Sequence, residues 1–179
     1  MPVQETTRIT SIWGVFTLVS LLAAGALERR ASKRTIAFWG GGIALVGFVL
    51  IAASGILINT AVFYSGVILL GAGTGFSTVS NLSLMLDMTT AAKVGLFIGA
   101  WGMANAASRL TGALLSGVVR DVLTQVLQDP VLAYVSVFSI LALLLLISLL
   151  ILRRINVAAF REQAAAPSTI ERAALAGDL

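Results

Sequence analysis

The stretch GAGTGFSTVSNLSLMLDMTTAAKVGLFIGAWGMANAASRLTGALLSGVVR, residues 71–120, determines how the whole chain is interpreted. Its pattern predicts an apolar helix, a short polar turn over residues 88–93, and a second apolar helix. Asn105 and Arg109 lie inside the second helix, where apolar side chains are the usual occupants. An arginine at the middle of a membrane span costs about 2.5–3.5 kcal/mol on insertion scales. We therefore expect a compensating partner or ligand near Arg109.

The composition indicates an integral membrane protein. Of 179 residues, 58% are hydrophobic and only 11% are charged, whereas soluble domains carry about 25% charged residues. The sequence has no Cys and no His, which excludes disulfides, a Cys metal site, and the usual general base and tetrapyrrole ligand. Neither paired carboxylates within a span nor a phosphate loop is present, so we predict no catalytic residues, no metal site and no enzyme activity.

Five apolar runs are each long enough to cross a bilayer core of about 30 Å. The predicted spans are residues 9–27, 35–57, 61–88, 94–119 and 131–152. Residues 1–8 form a loose N-terminal extension, residues 9–155 a five-helix transmembrane domain, and residues 156–179 a flexible cytoplasmic tail. A signal peptide is the alternative for the first run, but the basic cluster follows that run instead of preceding it.

Basic residues in the short loops predict the orientation. One side of the membrane would hold eight of them: Arg29, Arg30, Lys33, Arg34, Lys93, Arg153, Arg154 and Arg161. The other side would hold Arg8 and Arg120. We therefore expect an outside N-terminus and a cytoplasmic C-terminus. Because the positive charge of +4 lies at segment ends, it indicates membrane topology and not a nucleic-acid surface.

Small residues recur four apart on the two central helices. The pairs are Gly71 and Gly75, Gly95 and Gly99, and Gly112 and Ser116. Small faces let helix backbones approach closely in lipid, so we expect each pair to pack against another helix. The alternative is the ordinary Gly enrichment of membrane helices.

A polar stripe runs along the fourth predicted span. Trp101, Asn105 and Arg109 lie four apart, and Gly112 and Ser116 continue the same side. No acidic residue lies inside a span at the depth of Arg109. We expect Arg109 to point into the bundle, toward Asn81 on the third helix, and to meet a carbonyl, an amide, water, a lipid headgroup, a ligand anion or another chain. Snorkelling of Arg109 to the interface is the alternative.

The first basic loop resembles the cytoplasmic loop motif of major facilitator transporters. The residues that carry the likeness are Gly25, Arg29, Arg30, Lys33 and Arg34. Arg29 stands where that motif usually has Asp, Glu28 comes one position early, and Ser32 stands where Gly is usual.

Together with the central hairpin, this loop resembles the PucC family, the bacteriochlorophyll-associated branch of the major facilitator fold. The likeness lies in Gly73-Thr74-Gly75, in residues 84–89 and 95–102, in Arg109 and Gly112, and in Phe160-Arg161. The resemblance implies that the five spans correspond to helices eight to twelve of a twelve-helix protein. A facilitator half needs six helices, so five spans imply a fragment, a split chain or a stand-alone subunit.

Three functions follow as hypotheses. The first, implied by the resemblance, is a protein that assists assembly of light-harvesting (bacterio)chlorophyll–protein complexes, or an accessory subunit of one. The second is a fragment of a small-solute secondary transporter, with Asn81, Asn105 and Arg109 along its path. The third is a purely structural membrane subunit.

The resemblance also implies a location, partners and a cofactor. The location would be a bacterial inner or photosynthetic membrane. The partners would be lipids and another membrane protein, which supplies the missing helices or belongs to the antenna. The cofactor would be bacteriochlorophyll or chlorophyll. Its magnesium would need Asn81, Asn105, a carbonyl, water or a partner's His as ligand.

Overall fold

The residues that the structure describes form an all-α bundle of five helices. The computed structural model describes residues 3–28, 30–89 and 94–154. The helices are α1 (Val3–Leu27), α2 (Lys33–Leu57), α3 (Thr60–Met88), α4 (Val94–Leu127) and α5 (Pro130–Leu152). All five are long and apolar enough to cross a membrane, which confirms the predicted all-α membrane fold with five spans.

Two helix boundaries differ from the predicted ones by more than two residues. α1 begins at Val3 instead of Ile9, so residues 3–8 are helical and not loose. α4 continues to Leu127 instead of ending at Val119, because polar side chains there bond within the helix. Thr124 Oγ1 donates to the Arg120 carbonyl at 2.8 Å. The predicted tail, residues 156–179, lies outside the described residues.

Short capping turns connect the helices at one end of the bundle. Asn59 Oδ1 accepts hydrogen bonds from the amides of Ala61 and Val62 at 2.9 and 3.3 Å, which satisfies free donors at the start of α3. Ile58 has a φ of 50°, the left-handed geometry that ends α2. Asp129 caps α5 in the same way. The turn makes α2 and α3 antiparallel neighbours, as their loop length predicts.

The helices pack in an order that differs from their order in the chain. Extended contacts join α1 to α3, α3 to α2, α2 to α5, and α5 to α4. The α2–α3 pair forms the centre of the bundle. A Cβ on Gly47 would lie 2.7 Å from the Leu70 amide nitrogen, and a Cβ on Gly66 would lie 2.9 Å from the Gly47 carbonyl oxygen. These two glycines therefore allow the α2 and α3 backbones to touch.

The two ends of the bundle differ in charge. We call the end that holds the start of α2 and the ends of α3 and α5 the basic end, because Lys33, Arg34, Arg153 and Arg154 lie there. At the opposite end the Arg8 guanidinium lies 5.5 Å from the centroid of the Tyr64 ring. This contact joins the first turns of α1 to the start of α3.

Candidate functional site

The fourth helix is the least covered element of the bundle. α4 is the longest helix and contains no buried residue. It packs along α5, and it has no extended packing against α3, the helix that precedes it in the chain. In lipid this leaves most of its surface available for contact with acyl chains or with another protein.

The predicted polar stripe lies on this helix, and its members have different environments. Asn105 Nδ2 donates to the Trp101 carbonyl at 3.0 Å, so the amide bonds one turn back within its own helix. Asn105 and Trp101 are half-buried, whereas Arg109 is exposed. In the part of the chain that the structure describes, the Arg109 side chain makes no hydrogen bond, ion pair or ring contact.

The structure does not bring Asn81 to this stripe. Asn81 is exposed on α3, and α3 lies beside α1 and α2 instead of α4. The expectation that Arg109 points toward the Asn81 face of α3 is therefore not met within residues 3–28, 30–89 and 94–154. Because α4 packs on α5 and not on α3, Arg109 is exposed and does not face Asn81.

The predicted small pairs fall into two groups. A Cβ on Gly71 would lie 2.6 Å from the Trp13 carbonyl oxygen, and a Cβ on Gly75 would lie 2.8 Å from the Leu21 amide nitrogen. The structure thus places this pair directly against α1. At Gly95 and Gly99 a Cβ would meet open space. The expectation that these two glycines lie close to another helix is therefore not met among the described residues.

Gly112 and Ser116 line a shallow groove between α4 and α5. Its volume is about 190 Å³, and its other walls are aliphatic side chains: Leu115, Val119, Val137, Ile140, Leu141 and Leu144. Ser116 Oγ donates to the Ala113 carbonyl at 3.1 Å, so it offers little polarity to the groove. The pair therefore marks where α4 meets α5, without a tight backbone contact.

Residues of the predicted loop motif form polar contacts between helix ends at the basic end. Lys33 Nζ lies 2.7 Å from Asp87 Oδ1, which joins α2 to α3. Arg34 donates to the Arg153 carbonyl, which joins α2 to α5. Gly25 and Arg30 line an open cavity of about 750 Å³ beside the end of α1. Arg29 lies outside the described residues.

Sequence reasoning missed a second polar link at this end. Ser83 Oγ donates to Glu28 Oε2 at 2.7 Å, which joins the end of α1 to α3. The signal was available, because Ser83 and Asp87 lie four apart on α3 and so share the side that receives this loop. Glu28 Oε1 and the fully buried Ser80 Oγ have no hydrogen-bond partner among the described residues.

No group of three or more Asp, Glu, His or Cys side chains in the described residues could hold a metal ion.

The geometry defines a multi-pass α-helical membrane protein, whose polar links lie at its basic end and whose most open surface is α4. Residues 1–160 match the family model described as PUCC protein. The chain belongs to the PucC family.

Relatives are similar over most of this chain but are much longer. Protein PucC of Rhodovulum sulfidophilum is 34% identical over 122 residues, which are 68% of this chain and 27% of that protein. Protein PucC of Cereibacter sphaeroides is 32% identical over 158 residues, 85% of this chain and 34% of that protein.

An uncharacterized protein in the puhA-bchM intergenic region of Rhodobacter capsulatus is 25% identical over 161 residues, with 85% of this chain and 34% of that protein covered. This chain therefore spans about a third of the length of the relatives it matches. No solved structure matches.

Proposed function

We propose that this chain assists assembly of light-harvesting (bacterio)chlorophyll–protein complexes, as an assembly factor or accessory subunit that contacts its partner through α4. The proposal has two supports. Membership in the PucC family, together with what the family resemblance implies, supports a role in photosynthetic complexes. The open surface of α4, on which Arg109 has no partner among the described residues, supports a contact role, and it is the single observation that carries the proposal.

The α4 surface suits reversible contact better than catalysis. An apolar helix face that no described helix covers can exchange lipid for a partner helix at little cost, because lipid tails are as apolar as Leu. Arg109 supplies an exposed charged group within the apolar part of this surface. A partner that satisfies it gains affinity, and a partner that lacks a matching group does not. The surface can therefore hold a membrane subunit during assembly and select among candidates.

The test is deletion of the gene in its own host, with restoration by variants. We expect deletion to lower antenna content, measured from the near-infrared absorbance of isolated membranes. Wild type and Leu114→Ala should restore the absorbance, because Leu114 is an ordinary exposed residue of the same helix. Arg109→Leu should insert normally but restore little. Unchanged antenna absorbance after deletion would contradict the proposal.

The transporter hypothesis has weaker support. A solute path would need Asn81, Asn105 and Arg109 around one space, and α3 and α4 lack extended packing in the described residues. Solute uptake into vesicles that contain the purified chain would favour transport over assembly. The orientation with an outside N-terminus and a cytoplasmic C-terminus belongs to the proposal and rests on the distribution of Lys and Arg.

A further inference from the structure

A cavity with a volume of about 330 Å³ lies at the end of the bundle opposite the basic end. Three helices contribute to it, because α1 and α3 begin there and α2 ends there. Its walls include Glu5 and Ile9 of α1, the turn residue Asn59, and Phe63 and Tyr64 of α3. We call it the three-helix cavity. It is separate from α4 and from the polar links at the basic end.

The length of α2 places this cavity at the edge of the membrane. α2 has 25 residues, which span roughly 37 Å at about 1.5 Å per residue. The hydrocarbon core of a bilayer is about 30 Å thick, so both ends of α2 reach the headgroup layers. Lys33 and Arg34 lie at one end of this helix, and the three-helix cavity lies at the other. The cavity is therefore level with phospholipid headgroups.

Glu5 gives the cavity a negative charge. Among the described residues that line the cavity, Glu5 is the only charged one. The described part of the chain offers its carboxylate neither a hydrogen bond nor an ion pair. Arg8, three residues further along α1, is near enough to pair with it, but the Arg8 guanidinium instead lies 5.5 Å from the centroid of the Tyr64 ring. The cavity therefore favours a ligand with a positive charge.

Two aromatic rings indicate which kind of cation fits. Phe63 and Tyr64 are half-buried, and their rings meet edge to face with centroids 5.7 Å apart. Aromatic faces attract cations, and rings of this kind recur in sites that recognise choline and other ammonium ligands. A metal ion such as Ca²⁺ would need six or more oxygen ligands instead. A carboxylate beside two aromatic rings therefore suits an ammonium group on a carbon chain.

Arg8 supplies the opposite charge next to the cavity. Its guanidinium makes no hydrogen bond or ion pair among the described residues, so its donors remain available. A guanidinium can hold a phosphate group through two parallel hydrogen bonds. Glu5 and Arg8 are about 4.5 Å apart along the helix axis at roughly 1.5 Å per residue. A ligand with an ammonium group and a phosphate a few atoms apart would satisfy both residues at once.

We propose that the three-helix cavity binds the headgroup of a zwitterionic phospholipid. The ammonium group lies between Glu5 and the rings of Phe63 and Tyr64, and the phosphate lies at Arg8. An anionic phospholipid without an ammonium group would satisfy Arg8 but leave the Glu5 carboxylate unpaired. This site is independent of the proposed function, because neither α4 nor a pigment takes part in it.

The experiment titrates the purified full chain with phospholipids and measures the bound lipids by native mass spectrometry. Two lipids share dioleoyl chains and differ in the headgroup, which is phosphoethanolamine or phosphoglycerol. Because the basic end also attracts the anionic glycerol lipid, variants are compared for each lipid separately. We expect Glu5→Gln to weaken binding of the ethanolamine lipid roughly 2- to 10-fold, the range for a partly exposed cation contact, and to leave the glycerol lipid unchanged.

Further variants assign the binding to this cavity. Arg8→Gln and Tyr64→Leu should each weaken binding of the ethanolamine lipid, because they remove the phosphate contact and one of the rings. Asp121→Asn and Tyr134→Leu are the matched controls, since they change an exposed acid and an exposed tyrosine elsewhere in the bundle, and they should leave this binding unchanged. Glu5 and Arg8 are themselves exposed, so their replacement leaves the packing of the helices intact.

Two outcomes would overturn the proposal. The first is binding of the ethanolamine lipid that stays the same in Glu5→Gln or falls equally in Asp121→Asn. The second comes from glycerophosphoethanolamine, the soluble headgroup without acyl chains. We expect it not to displace the lipid at equal concentration, because it lacks the apolar contacts of the chains. Displacement at equal concentration would assign the cavity to a soluble zwitterion instead of a lipid.

Discussion

Adding a side chain to a glycine has different consequences at different positions of this chain. At Gly73 a Cβ would lie 2.6 Å from the Gly40 carbonyl oxygen and 2.7 Å from the Ala44 Cβ, so even one added carbon forces α2 and α3 apart. At Gly99 the same carbon would meet open space. Both residues lie in Gly-rich stretches of membrane helices, and only the position of the neighbouring helix distinguishes them.

This difference predicts how the purified chain responds to overpacking. We expect Gly73→Leu to cost about 1–3 kcal/mol or more, seen as a lower melting temperature in detergent. Gly99→Leu should leave the melting temperature of the isolated chain unchanged, because its side chain would extend into lipid. A fall in melting temperature for Gly99→Leu as large as that for Gly73→Leu would show that α4 has a covering neighbour within its own chain.

Ser80 is a polar residue in the core of the bundle. Its side chain is fully buried, and its Oγ has no hydrogen-bond partner among the described residues. An unsatisfied buried hydroxyl costs free energy, so we expect Ser80→Ala to keep or raise the melting temperature. Ser54→Ala is the matched control, because Ser54 Oγ donates to the Ile51 carbonyl at 2.7 Å and its loss should lower stability. A clear loss with Ser80→Ala would mean that the hydroxyl is bonded in the membrane.

At the scale of the elements, hydropathy predicted the five helices well, because lipid requires a long apolar run for every span. Helix ends were predicted less well. Arg120 and Asp121 suggested a loop, yet they bond to each other at 2.7 Å on a continuing helix. The neighbours of each helix could not be predicted, because the sequence shows which residues are small or apolar but not which helix covers them. That is why Arg109 was expected to face α3.

The loops also allow a direct test of orientation. We expect a Cys placed at Ala31, between α1 and α2, to react with a membrane-impermeant maleimide only after the cytoplasmic side is opened. A Cys at Thr60, at the start of α3, should react from outside in intact cells. These sites avoid Ser32 and Asn59, whose side chains cap α2 and α3. Labelling of both sites from the same side would contradict the five-span topology.

At the scale of the whole molecule, the absence of His from the sequence limits how a pigment could bind. Asn105 already donates to the Trp101 carbonyl, whereas Asn81 is exposed on α3 without a hydrogen-bond partner among the described residues. If the chain binds chlorophyll by itself, we expect Asn81→Leu to lower the pigment that copurifies with it, read from the absorbance spectrum. Retention of equal pigment by Asn81→Leu would assign the magnesium ligand to a backbone carbonyl, water or a partner's His.

The packing order, in which α5 is the only described helix that makes extended contacts with α4, has a consequence for biogenesis. During synthesis α1, α2 and α3 can assemble as soon as α3 leaves the translocon, because each contacts another of the three. α4 then enters the bilayer with no completed surface to receive it until α5 follows. A chain that ends at Gln128 should therefore be degraded faster in a pulse-chase experiment than the shorter chain that ends at Met88. Equal half-lives would indicate that another membrane component binds and stabilises α4 before α5 is synthesised.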